Sequence, residues 1–176
     1  MSDNWIQLHD GQVFDYDELS AEALTIDNIA NALSKLCRFA GHVTRFYSVA
    51  EHSVYVSEHV PKKMRLAALL HDASESVLVD VPRPLKRMLP KYLDIEAKVM
   101  GLIANKYGFP WPMAHEIKVA DIRMCLTESR LLTPSKAEGW GLKVRPYRDF
   151  MRGGAIGLGS EAARLMFLTA YKTITR

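Results

Sequence analysis

Apolar and polar positions first alternate and then shift to a helical period. Trp5-Ile6-Gln7-Leu8-His9 and Gln12-Val13-Phe14-Asp15-Tyr16 flank Asp10-Gly11. This predicts a small two-stranded ribbon packed on helices, because a lone hairpin is marginal in water. Ile29, Ala30, Leu33, Leu36 and Cys37 then recur at helical spacing behind Asp27 as cap. They predict a helix to about Phe39, stopped by Gly41. After a link at 41–47, Ser48-Val49-Ala50-Glu51 reads as a capping box. It opens a second helix with Val49, His52, Val56, His59 and Val60 on one face. Pro61 closes that helix and starts a third, expected to run to Leu78. Asp80 to Lys86 predicts a proline-stiffened loop. Pro90 to Tyr107 predicts a fourth helix, stopped by Gly108 and Pro110. Pro112 to about Leu132 predicts a fifth, ended by Pro134, with Ile117, Ala120, Asp121, Met124 and Cys125 inward. Residues 133–159 hold Gly139, Gly141, Gly153, Gly154, Gly157 and Gly159 and predict irregular chain. Ser160-Glu161 begins a last helix. The sum is a single all-α domain with a small N-terminal β-hairpin. Hairpin and lead-in occupy 1–24, the helical core 25–132, and the irregular segment with the last helix 133–176.

Composition changes this picture little. A chain of 176 residues can bury a substantial core, and 48% apolar with 24% charged residues is ordinary. A net charge of +3 argues against a nucleic acid polymer or an anionic membrane as partner. No apolar run approaches a membrane span, and Met1-Ser2-Asp3-Asn4 lacks a charged-then-apolar lead. The expectation is a cytoplasmic chain with no membrane contact; a homo-oligomer stays open. Cys37 and Cys125 fall in amphipathic stretches and read as buried free thiols of a reducing compartment.

The chemistry concentrates in Leu66-Ala67-Ala68-Leu69-Leu70-His71-Asp72-Ala73-Ser74-Glu75. An apolar run leads straight into three ionisable groups, which are costly to bury unless paired or bound to a metal. On a helix His71 and Glu75, and Asp72 and Glu75, would share a face. A His-Asp pair alone is weak: His9-Asp10 before Gly11 reads as a plain turn. The later copy gains weight from His52 and Asp121, both on expected core faces. Two imidazoles and two carboxylates suit Mn²⁺, Co²⁺, Fe²⁺ or Zn²⁺, with positions left for water and substrate oxygens. Glu75 could accept or deliver a proton, and Asp80 could orient that transfer. From the residues alone, His52 is equally a satisfied core histidine, Asp121 equally a partner of Arg123 or Lys118, and His42 and His59 rival first ligands. His115 reads as surface.

The order His52, His71-Asp72, Asp121 resembles the HD-domain phosphohydrolase superfamily, whose metal is held by such a set. Ala50-Glu51-His52-Ser53, His71-Asp72-Ala73-Ser74-Glu75, Asp80 and Pro82-Arg83-Pro84-Leu85-Lys86 resemble the small bacterial 5′-deoxynucleotidases. They also resemble the compact phage HD-domain deoxynucleoside triphosphohydrolases. The likeness runs from about Arg38 to Asp121, roughly half of the 176 residues. It implies an HD-domain helical bundle with metal ligands His52, His71, Asp72 and Asp121. It also implies Glu75 as catalytic carboxylate with Asp80 beside it. Arg38-Phe39 stands where the nucleotidases carry an Arg-aromatic pair that contacts the nucleotide, with Phe in place of the usual Trp. His42, just beyond, is grouped with them as a substrate contact. Lys86 and Lys118 match positions that hold phosphates.

The residues support the two lysines separately. Lys118 is one turn before Asp121, and Lys86 follows a stiff Pro-x-Pro corner, although single lysines are usually solvated. Lys143, Arg145, Arg148 and Arg152 could rim the pocket. The resulting expectation is a metal-dependent phosphohydrolase that converts deoxynucleoside 5′-monophosphates to nucleoside and phosphate. A triphosphohydrolase that releases triphosphate is nearly as well supported. A non-catalytic nucleotide-binding module is the alternative of another class, and binding without turnover would mark it.

Overall fold

The computed structural model describes residues 3–148, 150 and 156–176. Strands β1 (Trp5–Gln7) and β2 (Val13–Asp15) pair antiparallel, with Ile6 opposite Phe14. The ribbon is shorter than its alternation suggests. Leu8 to Gln12 form a longer loop, closed by the Leu8 N–H on the Gln12 carbonyl at 2.8 Å, with Gly11 at φ +88°. Phe14 is inserted into the core, and the Tyr16 hydroxyl donates to the Val77 carbonyl at 2.5 Å. Together with the Asp10 N–H donated to Asn28 Oδ1 at 3.3 Å and the packing of Ile6 and Leu8, these contacts hold the hairpin to the helices.

Helix α1 (Ile26–Lys35) starts two residues earlier than a cap at Asp27 implies. Thr25 is its cap and accepts from the Asn28 N–H. It also ends earlier, at Lys35, because Leu36 turns to extended backbone. Arg38 and Tyr47 then face each other across an isolated antiparallel bridge between Cys37 and Ser48. Cys37 therefore lies outside the helix. Cys37 and Cys125 are both free thiols and only half-buried, a correction to the fully buried reading.

Helix α2 (Val49–Glu58) opens at Ser48, whose hydroxyl accepts from the Glu51 N–H as the capping box predicts. It is buried on nearly all sides, packed by α1 and by the elements that follow. A helix covered all round shows little amphipathic contrast.

The expected helix from Pro61 to Leu78 is not continuous. A single 3₁₀ turn at Lys62–Met64 leads into α3 (Arg65–Leu69) and then into a tight turn. Helix α4 (Glu75–Leu78) follows. The turn is held by i→i+3 bonds from Ala73 N–H to the Leu70 carbonyl and from Glu75 N–H to the Asp72 carbonyl. Where a loop is expected, α5 (Arg83–Lys86) forms one helical turn. Helices α6 (Pro90–Tyr107), α7 (His115–Leu132) and α8 (Ser160–Ile174) follow their apolar patterns. Helix α7 begins three residues after Pro112. Gly108 ends α6 in the left-handed conformation that glycine adopts without steric cost. Among the described residues, 133–148 and 156–159 are irregular, as expected. Arg152, Gly153 and Gly154 lie outside the described residues.

One apolar core runs from Phe14 and Leu24 through α1, α2 and α3 to Phe167 on α8. No helix among the described residues is long and apolar enough to cross a membrane.

Candidate metal centre

Three elements meet on one side of α2. His52 is fully buried on α2, and the turn between α3 and α4 presents His71 and Asp72. Asp121 comes from the second turn of α7. The break in the expected third helix lies at the candidate ligands themselves.

The ligand atoms of His52, His71 and Asp72 all lie within 4.8 Å of one another, so this group could hold a metal ion. Asp72 Oδ2 is 3.1 Å from His71 Nε2 and 3.8 Å from His52 Nε2. Asp121 Oδ1 approaches the same two nitrogens, at 3.3 Å from His52 and 3.9 Å from His71. Both Nε2 atoms are buried without a hydrogen-bond partner in good geometry. His71 Nδ1 lies 2.8 Å from the Ala68 carbonyl, which can only accept. Nδ1 therefore carries the proton, and in the neutral ring Nε2 turns its lone pair toward the carboxylates. Two buried nitrogens without a well-formed hydrogen bond, beside two carboxylates, make a donor set that a metal ion could occupy.

A second row of polar groups backs the first. Glu128, two turns beyond Asp121 on α7, is fully buried; its Oε1 is 2.7 Å from His52 Nδ1 and accepts the Tyr47 hydroxyl at 2.6 Å. Arg38 Nε lies 3.3 Å from Glu128 Oε2, and Arg38 Nη1 lies 3.5 Å from Asp72 Oδ2. These neighbours set the protonation states. Burial and the Arg38 charge oppose a charged His52, but Glu128 and Asp121 outweigh them and push its pKa up to about 9. Burial works against ionised Asp72 and Asp121 too. His71 holds Asp72 well below the usual carboxylate range, and His52 holds Asp121 below it. Glu128 is likewise lowered against its burial by His52 and Arg38.

The opposite wall behaves differently. Glu75 is buried and Asp80 partly so, and burial raises both pKa values, Glu75 well above normal with Asp72 and Asp80 adding to the rise. Lys86 Nζ is 2.5 Å from Glu96 Oε1 and 3.9 Å from Glu75 Oε1. Arg83, one turn earlier on α5, puts Nη2 3.4 Å from Asp121 Oδ2 with its side chain 57% exposed.

The residues named from sequence separate accordingly. His52, His71, Asp72, Asp121 and Arg38 converge, and Glu75, Asp80 and Lys86 cluster beside them. Arg38 is buried against Asp72 and Glu128. Phe39 is half-buried, with the Arg38 guanidinium 5.5 Å from its ring and Trp140 6.1 Å away. His42 and Lys118 are exposed, Lys118 one turn before Asp121. His59 is no ligand of this group: its Nδ1 meets the Tyr55 carbonyl at 2.7 Å and its ring lies 4.1 Å from Tyr147. Of the suggested basic rim, Arg145 turns its carbonyl to Arg123. Glu128, Tyr47 and Arg83 escaped the sequence reading. The signal for Glu128 was its seven-residue spacing from Asp121, which places both on one helix face.

No family model matches the chain. The uncharacterized protein YfdR of Escherichia coli is 42% identical over 137 residues, covering 78% of this chain and 77% of that protein. An uncharacterized protein of Rhodobacter capsulatus is 31% identical over 169 residues, covering 88% of this chain and 86% of that one. The chain belongs to the family of these two proteins.

Proposed function

We propose that the chain is a metal-dependent HD-domain phosphohydrolase acting on nucleotides. Its favoured reaction converts a deoxynucleoside 5′-monophosphate to deoxynucleoside and phosphate. The convergence of His52, His71, Asp72 and Asp121, with two buried imidazole nitrogens lacking good partners, carries the reading. A divalent ion held there (Mn²⁺, Co²⁺, Fe²⁺ or Zn²⁺) would polarise a phosphoryl oxygen and lower the pKa of water. The other roles fall to the chain's own groups. Arg83 faces solvent beside Asp121 and can take a phosphate oxygen. Lys86, on the same helical turn, can exchange its Glu96 partner for another. Glu75, whose proton is held by burial and by Asp72 and Asp80, can deliver it to the leaving nucleoside oxygen. Asp80 orients that transfer. Phe39, beside Arg38, offers an apolar face to the base.

The triphosphohydrolase reading keeps support from the number of cations. Arg83, Lys86 and Lys118 flank the site from α5 and α7, which is more positive charge than one phosphate requires. Deoxy- and ribonucleoside mono- and triphosphates, incubated with Mn²⁺, Co²⁺ and Zn²⁺ and followed by product identification, test both. Orthophosphate from a deoxynucleoside monophosphate supports the favoured reaction. Tripolyphosphate from a triphosphate supports the second. Nucleotide binding with no product under any metal would replace both with a binding module.

A further inference from the structure

We propose that Glu128 is the positioning residue of the metal centre, fixing His52 so that its Nε2 lone pair faces Asp72, Asp121 and His71. The inference rests on the metal-site reading above and deepens it. Glu128 lies behind His52, away from the proposed ligand atoms, and neither exposure nor contact with solvent explains it. Its side chain is 0% exposed, as is that of His52. A buried carboxylate is costly unless donors surround it. Here Oε1 receives the Tyr47 hydroxyl at 2.6 Å and His52 Nδ1 at 2.7 Å, while the Arg38 guanidinium stands 3.3 Å from Oε2.

An ionised carboxylate only accepts, so a His52 with a single proton carries it on Nδ1, toward Glu128. The opposite nitrogen is then bare, 3.3 Å from Asp121 and 3.8 Å from Asp72. Carboxylate-backed imidazoles of this kind fix ring orientation and raise ligand basicity. Arg38 extends the control, because the same guanidinium lies 3.5 Å from Asp72. One buried cation thus links the carboxylate behind His52 to a proposed ligand in front of it. The Cys37–Ser48 bridge positions both supporting donors, since Arg38 N–H donates to the Tyr47 carbonyl at 2.9 Å.

An amide cannot replace this carboxylate. If the oxygen of Gln stays toward Tyr47 and His52, its NH₂ group opposes the Arg38 Nε–H. If the amide turns, its NH₂ faces His52 Nδ1, which must then accept. The ring proton is pushed to Nε2, where the metal would bind.

Calorimetric binding of Mn²⁺ and Zn²⁺ to full-length wild type, E128D and E128Q tests the role, alongside thermal unfolding of the chelated proteins. E128Q should bind at unchanged stoichiometry with Kd raised about 10- to 100-fold. E128D, which keeps the charge and shortens the reach, should fall between. A folded E128Q with the wild-type Kd overturns the proposal even if it melts lower, because that is what a merely structural residue would give. Should E128Q not fold, the wild type decides: nitrogen-15 NMR should find the His52 Nδ1–H protected from solvent exchange, with or without Zn²⁺. Rapid exchange overturns the proposal. A wild type that binds neither ion removes the metal-site reading instead, and the chelated NMR measurement still judges the Glu128 contact.

Discussion

The two walls of the site are built differently. On the ligand side His52, Glu128 and Tyr47 are fully buried and joined by short hydrogen bonds on or beside the long helices α2 and α7. On the other side the chain from Val79 to Leu93 passes through one helical turn and the start of α6. Val79, Leu85 and Met88 there are 56%, 48% and 75% exposed. Val79 adopts φ +59°, a strained conformation for a β-branched residue. Few buried apolar contacts and exposed backbone mark the low-stability end of a fold. The contrast suits a division of labour. Under the proposed function the ligands would need fixed geometry, whereas groups that meet a substrate would tolerate adjustment.

Breaking the rigid wall should have the largest effect. Asp72→Ala removes a proposed ligand oxygen and leaves Arg38 and His71 without the carboxylate they share. Metal analysis should find the ion lost and turnover below detection, and a variant with wild-type metal content would take Asp72 out of the site. Glu75→Gln attacks the opposite wall. It should keep metal and nucleotide but lose about 10²- to 10⁴-fold in kcat, the usual worth of a general acid or base. Near-normal kcat would remove Glu75 from the chemistry, and loss of metal would make it a ligand.

The same contrast explains what was legible in the sequence. Helices α6, α7 and α8 follow their apolar periods, α2 is announced by its capping box, and the four candidate ligands stand out because they are ionisable groups in otherwise apolar stretches. The interruption at residues 70–74 could not be read. An apolar run such as Leu66 to Leu70 fits one long helix as well as α3 followed by a turn. The difference lies in local bonds: His71 Nδ1 to the Ala68 carbonyl and Ser76 Oγ to the Ala73 carbonyl. Side chains of this kind compete with the backbone ladder. Glu128 escaped because Thr127-Glu128-Ser129 is a polar stretch that reads as solvated; its seven-residue spacing from Asp121 places it on the site face, and its partners from residues 38, 47 and 52 show that it is buried. The proposed HD-domain assignment continues to rest on motif order, which periodicity does not supply.

Smaller effects sharpen the substrate side. A charge-assisted hydrogen bond contributes about 1.5–3 kcal/mol, so Lys86→Met and Arg83→Met should each cost about 10- to 150-fold in kcat/KM where they touch phosphate. Lys118→Met belongs in the same series. Losses at Arg83 and Lys86 on monophosphates, against losses at all three on triphosphates, would separate the two proposed reactions. No change at any of them would take all three out of phosphate binding and leave Lys86 to its pairing with Glu96.

The smallest expected effect is on stability. Glu75 sits in the fold with its pKa raised well above the normal value of 4.5, first by burial and then by Asp72 and Asp80. In the unfolded chain it returns to that normal value. Below about pH 4.5 the carboxyl is protonated in both states and the fold carries no penalty from it. As pH rises past that point the unfolded chain ionises first, so this contribution is progressively lost until the folded group also ionises. Glu75→Gln removes the titration but keeps the shape. Thermal unfolding of the chelated proteins should therefore show the variant gaining on the wild type as pH increases from 4.5 toward neutrality, with the gap closing at low pH. Parallel curves would mean that Glu75 ionises as freely in the folded chain as in the unfolded one. A proton donor poised by burial would then have to be sought at Asp80, whose pKa burial also raises.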